Sequence, residues 1–104
     1  MEICDLNDAF RQTGIGGRVM LSHGASLLEP DQIQELNRQV QCYEDFSEEN
    51  DPYGEHDFGV FNIFGHKFFW KIDYYDKELR YGSEDPLNPD ITERVLTIML
   101  ASEY

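Results

Sequence analysis

Basic residues are scarce in this chain. It carries 8 lysines and arginines against 21 aspartates and glutamates, a formal net charge of −13 over 104 residues. Because phosphate contacts need a basic patch, this deficit argues against direct binding to nucleic acid. It also disfavours binding to an anionic membrane surface. No stretch approaches the ~18 consecutive apolar residues of a membrane-spanning helix.

Cysteine is also scarce, and a targeting segment is not recognisable. Cys4 and Cys42 form no CxxC pair, which predicts two reduced thiols in a cytosolic protein. The opening MEICDLNDAF is acidic and lacks the apolar stretch of a signal peptide. We therefore expect a cytoplasmic protein. Hydrophobic residues make up 40% of the chain, which predicts one folded domain over residues 1–104 instead of a disordered acidic tail.

Two amphipathic helices are predicted from the spacing of apolar residues. Ile3, Leu6 and Phe10 recur at helical intervals, which predicts a helix over residues 3–12. A second narrow apolar stripe, preceded by a proline suited to the first helical turn, predicts a helix over residues 30–42.

The segment DFGVFNIFGHKFFWKIDYYD predicts a β-hairpin over residues 57–76. A two-residue turn at Gly65-His66 would place Phe61 opposite Trp70 on the core face. A slip of one residue would bring charged side chains into the core, so the faces should be firmly specified.

The carboxyl-terminal segment predicts a third helix, over residues 91–103. Asp90 would cap it, with Glu93 completing a capping box before an almost continuous apolar run. The resulting expectation is a two-layer α+β fold, with an antiparallel sheet built on the central hairpin and helices at about 3–12, 30–42 and 91–103.

Several motifs together resemble a known family. They are ENDPYGEHDFG, FFWKIDYYD, YGSEDP and TERVLTIMLASEY, preceded by NDAFRQTGIGGRVMLSHG near the amino terminus. In combination they are similar to a family of small acidic bacterial proteins known as a domain of unknown function. The resemblance implies a natural domain ending in this terminal block. It implies no activity, cofactor or catalytic residue.

Negative charge is concentrated between Tyr43 and Gly59. No basic residue occurs between Arg38 and Lys67, and seven carboxylates fall within fourteen residues. Fully extended, that segment carries roughly one charge per 6.6 Å, about half the density of one DNA strand. Mimicry of DNA would therefore require other acidic residues to join the same surface.

Metal binding and catalysis are the alternatives for this segment. An EF-hand alignment fails at positions 5 and 12, although irregular calcium binding stays open. Glu55, His56 and Asp57 are consecutive, but alternate residues of a strand point to opposite sides, and no HExxH spacing occurs. Acid–base work by His56 and nearby carboxylates, or a Cys42–His56 nucleophile pair, has no supporting local signature. A solvated loop that serves only solubility is the plainest alternative.

The favoured hypothesis is a non-enzymatic acidic protein that binds a basic protein surface. In its sharpest form it is an inhibitor of a nucleic-acid-binding machine, of the anti-CRISPR or anti-restriction type, acting by DNA mimicry. No cofactor, metal or catalytic residue is assigned. The rival is a small metal-dependent or acid–base enzyme that uses His56 and its neighbours. The predicted partner-binding residues are Glu44, Asp45, Glu48, Glu49, Asp51, Tyr53, Glu55 and Asp57.

Overall fold

The computed structural model of the protein describes residues 1–104 and contains three α-helices and a four-stranded sheet. The elements in chain order are α1 (Ile3–Thr13), β1 (Gly17–Leu21), α2 (His23–Ser26), α3 (Pro30–Gln41), β2 (Phe58–Ile63), β3 (His66–Tyr75) and β4 (Glu93–Leu100), followed by a 3₁₀ turn at Ala101–Glu103. The two predicted amino-terminal helices are confirmed. None of the helices has the length and apolar content needed to cross a membrane.

The sheet is mixed, with strand order β1-β4-β3-β2. β2 pairs with β3, and β3 with β4, in antiparallel fashion, whereas β1 runs parallel to β4. The α+β class is confirmed, but the expectation of a purely antiparallel sheet is wrong. The chain leaves β1 through two helices and the hairpin before it returns beside β1 as β4. The hairpin therefore forms one side of the sheet, with β2 at its edge.

The predicted helix over residues 91–103 is wrong, because most of this segment is the central strand β4. Leu96 and Ile98 are buried on the face of the sheet that the helices cover, and Val95 and Met99 are buried on the other. β4 therefore carries apolar residues on both of its faces, although the helices cover only one, and this hides the period-2 pattern. Periodicity alone cannot separate such a run from a buried helix.

The hairpin forms as predicted, but its register differs by two residues. Phe64 and Gly65 make the turn one residue earlier than expected, with φ angles of 56° and 75°. Positive φ at both positions is the geometry of a type I′ turn. Phe61 accordingly pairs with Phe68, so the predicted pairing with Trp70 is wrong. Because side chains alternate with a period of two, each residue keeps its predicted face.

A single aromatic and aliphatic cluster lies between the helices and one face of the sheet. Trp70 is the largest fully buried side chain of this cluster. Phe10 from α1 and Leu36 from α3 join the cluster from the helical layer. Gly59 lies opposite Trp70, and a Cβ at this position would overlap the indole and come within 2.8 Å of Tyr43 Cε1. The strand needs glycine here because of this close approach.

Candidate functional site

The acidic segment, residues 44–57, forms a loop between α3 and β2 whose first half is fastened to the core by aromatic rings. The buried Tyr43 hydroxyl accepts the Val60 N–H at 3.2 Å and donates to the Asp45 carbonyl at 3.2 Å. The Phe46 ring packs edge-on against Tyr43, with the centroids 5.1 Å apart. The segment is thus a structured loop with a fixed starting point, which we call the acidic loop.

His56 fastens the second half of the acidic loop to α1. Its ring stacks on Phe46, with a centroid distance of 4.0 Å and an interplanar angle of 4°. Nδ1 lies 3.0 Å from both carboxylate oxygens of Asp8, which also accepts a hydrogen bond from Arg11 at 3.2 Å. Nε2 faces Asp51 at 3.7 Å. Both ring nitrogens therefore face carboxylates of the protein itself, and the histidine serves the loop's attachment.

Asp51 is buried, with 7% of its surface exposed. Its Oδ1 accepts the backbone N–H of Glu55 at 3.0 Å and that of His56 at 3.2 Å. These bonds support the backbone where His56 adopts a φ of 55°, a conformation that costs a non-glycine residue energy. The structure thus places this predicted partner-binding carboxylate inside the loop, where it shapes the backbone.

Asn7 of α1 is the hub of a buried polar network beside the acidic loop. It has no exposed surface, and its Nδ2 donates to the Glu55 carbonyl at 3.0 Å and to the Tyr74 hydroxyl at 2.7 Å. Its Oδ1 accepts from Arg94 Nε at 2.9 Å. The Tyr74 hydroxyl donates onward to Glu55 Oε1 at 3.3 Å, and Arg94 also donates to the Pro86 carbonyl. The Asn7 side chain thereby connects α1 with β3, β4 and the acidic loop, and Arg94 extends the network to the connection between β3 and β4.

Burial shifts the proton affinity of groups around this network. Burial, assisted by the neighbouring Glu55 carboxylate, raises the pKa of Asp57 from its ordinary value. Burial also raises the pKa of Tyr74 far above its usual range, so the hydroxyl stays protonated as a hydrogen-bond donor. The same desolvation lowers the pKa of Arg94. These shifts follow from enclosing polar groups in the fold.

The raised pKa of Asp57 leads to a prediction about pH. Folding makes this carboxyl hold its proton more tightly, so its contribution to stability is present below its unfolded pKa and is lost as pH rises through its folded pKa. We expect Asp57→Asn to be more stable than the wild type at neutral pH, with the difference closing below about pH 4. Urea unfolding at both pH values measures this. Asp45→Asn, at an exposed position, is the matched control. A loss of stability at neutral pH that persists in acid would contradict the account.

The other predicted site residues lie nearer the surface. Tyr53 is 85% exposed, and Glu55 and Asp57 are half-buried. The exposed carboxylates of the loop are Glu44, Asp45, Glu48 and Glu49. The loop therefore presents four carboxylates and one aromatic ring to solvent.

Residues outside the loop extend this surface. Glu2 of the amino terminus shares a shallow depression of about 280 Å³ with Tyr53, Glu55 and Leu87. Leu87 belongs to the long connection between β3 and β4. Glu84 and Asp90 of that connection lie beside the exposed ring of Tyr81, in hollows that no residue of the acidic loop lines. Sequence reasoning missed Asn7, whose side chain hydrogen-bonds the acidic loop directly, and Arg94, which hydrogen-bonds Asn7.

The structure has no group of three or more histidine, cysteine, aspartate or glutamate residues arranged to hold a metal ion. Cys4 and Cys42 are both free, as predicted. His56 has an orienting carboxylate in Asp8, but its second nitrogen faces Asp51 instead of open space.

Residues 21–103 match a family model described as a protein of unknown function, DUF3768. The chain belongs to this family. The match covers everything from the end of β1 to the terminal 3₁₀ turn, including the acidic loop, whereas α1 with Asn7 and Asp8 precedes it. No curated protein and no solved structure matches the chain.

Proposed function

We propose that this protein binds a basic protein surface through the acidic loop and is not an enzyme. The observation that carries the proposal is that the exposed carboxylates of the loop form no ion pairs. The ion pairs of the chain all involve other residues, so no lysine, arginine or histidine neutralises the charges at the four exposed positions. Those positions are Glu44, Asp45, Glu48 and Glu49.

Order in the loop supports binding because an ordered loop loses less conformational entropy when a partner docks. The stacked Phe46–His56 pair, the Asp8–His56 contact and the Asn7–Glu55 hydrogen bond fix the loop at separate points. A loop that served only solubility would not need such attachment. Clustered charge would steer a basic partner to this surface and speed association, and the exposed Tyr53 ring would add contact area.

In its finer form, the proposal is that the partner is a nucleic-acid-binding protein and that this protein inhibits it by occupying its basic groove. Two of the eight basic residues, Arg11 and Arg94, are buried, so the accessible surface is even more acidic than the composition suggests. Glu2 supplies a carboxylate beside Tyr53 and Glu55 of the loop, and a mimic of the DNA backbone requires such additions from outside the loop.

Capture from a lysate of the native host tests both levels of the proposal. The immobilised protein should retain basic proteins that elute as the salt concentration rises, because screening weakens contacts between exposed charges. If the finer form holds, short duplex DNA should release the same proteins, since both ligands would compete for one groove. Retention that is unaffected by duplex DNA would reject mimicry while leaving the broader proposal standing. Retention that is insensitive to salt would reject both.

A triple charge change in the loop should abolish most of this capture. The loop variant combines Glu44→Gln, Glu48→Gln and Glu49→Gln, whose side chains form no hydrogen bonds within the protein. We expect stability to change by less than about 0.5 kcal/mol, because these are exposed positions. Quantitative mass spectrometry of the retained proteins measures the loss.

The matched control removes three charges from α3 and its cap. It combines Glu29→Gln, Asp31→Asn and Glu35→Gln, which keep an acceptor oxygen at each position. Both variants have the same formal net charge of −10, three fewer negative charges than the wild type at −13. Equal losses in the two variants would mean that overall charge, and not the loop, governs binding.

A further inference from the structure

The face of the sheet opposite the helices, which we call the open face, is unusually apolar. Its central residues are not part of the core that the helices cover, because they alternate with the core residues along each strand and lie on the other face. An antiparallel sheet with one solvated face normally carries polar residues there. The apolar side chains on the open face are Met20, Phe58, Val60, Phe69, Val95 and Met99.

Aromatic contacts continue across this face. The Tyr104 ring lies 5.3 Å from the Phe69 ring and 6.2 Å from the Phe58 ring, centroid to centroid, yet 74% of Tyr104 is exposed. Met20, on the edge strand β1, is 53% exposed. The apolar character therefore extends across the sheet from β1 to β2. It reaches solvent at Met20 and Tyr104 and partly at Phe58 and Phe69, whereas Val95 and Met99 on β4 are buried within the protomer.

The open face also differs from the rest of the surface in charge. It carries the basic residues Arg18, Lys67 and Lys71 against the acidic residues Asp73 and Glu93. On a chain of net charge −13, this is a region where charge is balanced. A second copy of the chain would be repelled by the acidic loop but not by this face.

We propose that the open face is the interface of a symmetric dimer of this chain. Lys71 and Asp73 lie two residues apart on β3 and form an ion pair at 2.8 Å. A two-fold axis lying between two stacked sheets and crossing β3 at Ile72 brings Lys71 of each protomer opposite Asp73 of the other. The face is thus self-complementary in charge, as a two-fold interface requires. The inference is independent of the proposed partner, since the acidic loop contacts α1 on the helical side.

The area of the open face determines how strongly two copies of the chain should associate. The four strands contain 5, 6, 10 and 8 residues, and at ~3.3 Å per residue with a strand spacing of ~4.8 Å they cover roughly 460 Å² per protomer. Specific interfaces generally bury at least ~1,000 Å² in total. The open face falls below this lower limit, because Val95 and Met99 are already buried in the protomer and add little accessible area. We therefore expect a weak, reversible dimer that dissociates on dilution.

Sedimentation equilibrium of the wild-type protein measures the association. The mass should rise from 12.2 kDa in dilute solution toward twice that value at concentrations of about 200 μM. Phe69→Glu, which places a charge in the centre of the open face, should remain monomeric. Gln34→Glu, which adds the same charge at an exposed position of α3, should behave as the wild type does. Circular dichroism confirms that each variant is folded.

A charge-reversal experiment tests the arrangement itself. Lys71→Asp and Asp73→Lys each place like charges opposite one another across the proposed axis, so each variant alone should be monomeric. Mixed in equal amounts, they should form a heterodimer, because every facing pair is then of opposite charge. A monomeric wild type at every concentration would overturn the proposal, as would a Phe69→Glu variant that still dimerises. Failure of the mixture to associate would overturn the two-fold arrangement at Ile72.

Discussion

Replacing Trp70 by alanine should lower the free energy of unfolding by roughly 3–5 kcal/mol, a large part of the ~5–15 kcal/mol that stabilises a typical domain. The indole is fully buried, and the Tyr43 ring packs edge-on against it with the centroids 5.5 Å apart. The Arg11 guanidinium lies over its face at 5.4 Å, and Phe46 of the acidic loop packs against its edge at 6.1 Å. Its removal leaves a cavity beneath the loop.

Urea unfolding followed by circular dichroism measures this loss, since the chain has a single tryptophan and the variant has no tryptophan fluorescence. Tyr81→Ala is the matched control, because that ring is 74% exposed, and its effect should stay within about 0.5 kcal/mol. The stability loss for Trp70→Phe should fall between those for Trp70→Ala and Tyr81→Ala. Phenylalanine keeps part of the packing, and the change removes an indole N–H that has no hydrogen-bond partner. A loss below about 1 kcal/mol for Trp70→Ala would show that Trp70 is not central to the core.

Asn7→Ala is expected to cost roughly 2–4 kcal/mol, although it removes only a small side chain. The change leaves the buried Arg94 Nε and the Glu55 carbonyl without the partner that Asn7 provides. It also releases one attachment of the acidic loop. The loop amides after Asp51 should therefore exchange hydrogen faster than in the wild type, even where the fold remains intact.

Asn37→Ala supplies the matched control for this prediction. Asn37 lies on α3, is half-buried, and makes no side-chain hydrogen bond. The same substitution there should change stability by less than about 0.5 kcal/mol. Equal effects at the two positions, or unchanged exchange in the loop of Asn7→Ala, would mean that the buried network does not hold the loop.

The hairpin shows which part of a strand pairing can be predicted from sequence. The faces of β2 and β3 were predicted correctly, because burial decides which alternate residues of each strand face the core. We call this choice the parity of the strand. The register was missed by two residues because the choice between a turn at Phe64-Gly65 and one at Gly65-His66 leaves that parity unchanged. Glycine favours positive φ at either turn position, so the local residues do not decide between them.

β4 was mistaken for a helix because its environment is set by distant parts of the chain. Its run of apolar residues fits a helix that is buried all round as well as a strand with apolar side chains on both faces. Only the neighbours β1 and β3, which are far away in sequence, make the central strand the favourable choice. Val95, Thr97 and Ile98 are β-branched and fit a strand, but the possible capping box before them favoured the helix.

For the candidate site, the sequence predicted the location of the charge but not what holds it in place. The run of carboxylates was recognisable, whereas the burial of Asp51 depends on a turn that its own side chain closes. Nothing in the sequence of α1 marks Asn7 and Asp8 as attachments of the loop. Their contacts with Glu55 and His56 join residues 48 positions apart. A single sequence contains no signal for such long-range polar pairs.

The salt dependence of partner affinity tests the central claim most directly. One protein captured by the wild type is chosen, and its affinity is measured for three forms of this chain at several salt concentrations. The three forms are the wild type, the loop variant carrying Glu44→Gln, Glu48→Gln and Glu49→Gln, and the matched α3 control. The account predicts that wild-type and control affinities fall steeply as salt rises. The loop variant should bind more weakly, associate more slowly and respond less to salt. A flat response in the wild type, or a loop variant with full affinity and the same slope, would contradict the claim that this loop binds a basic partner.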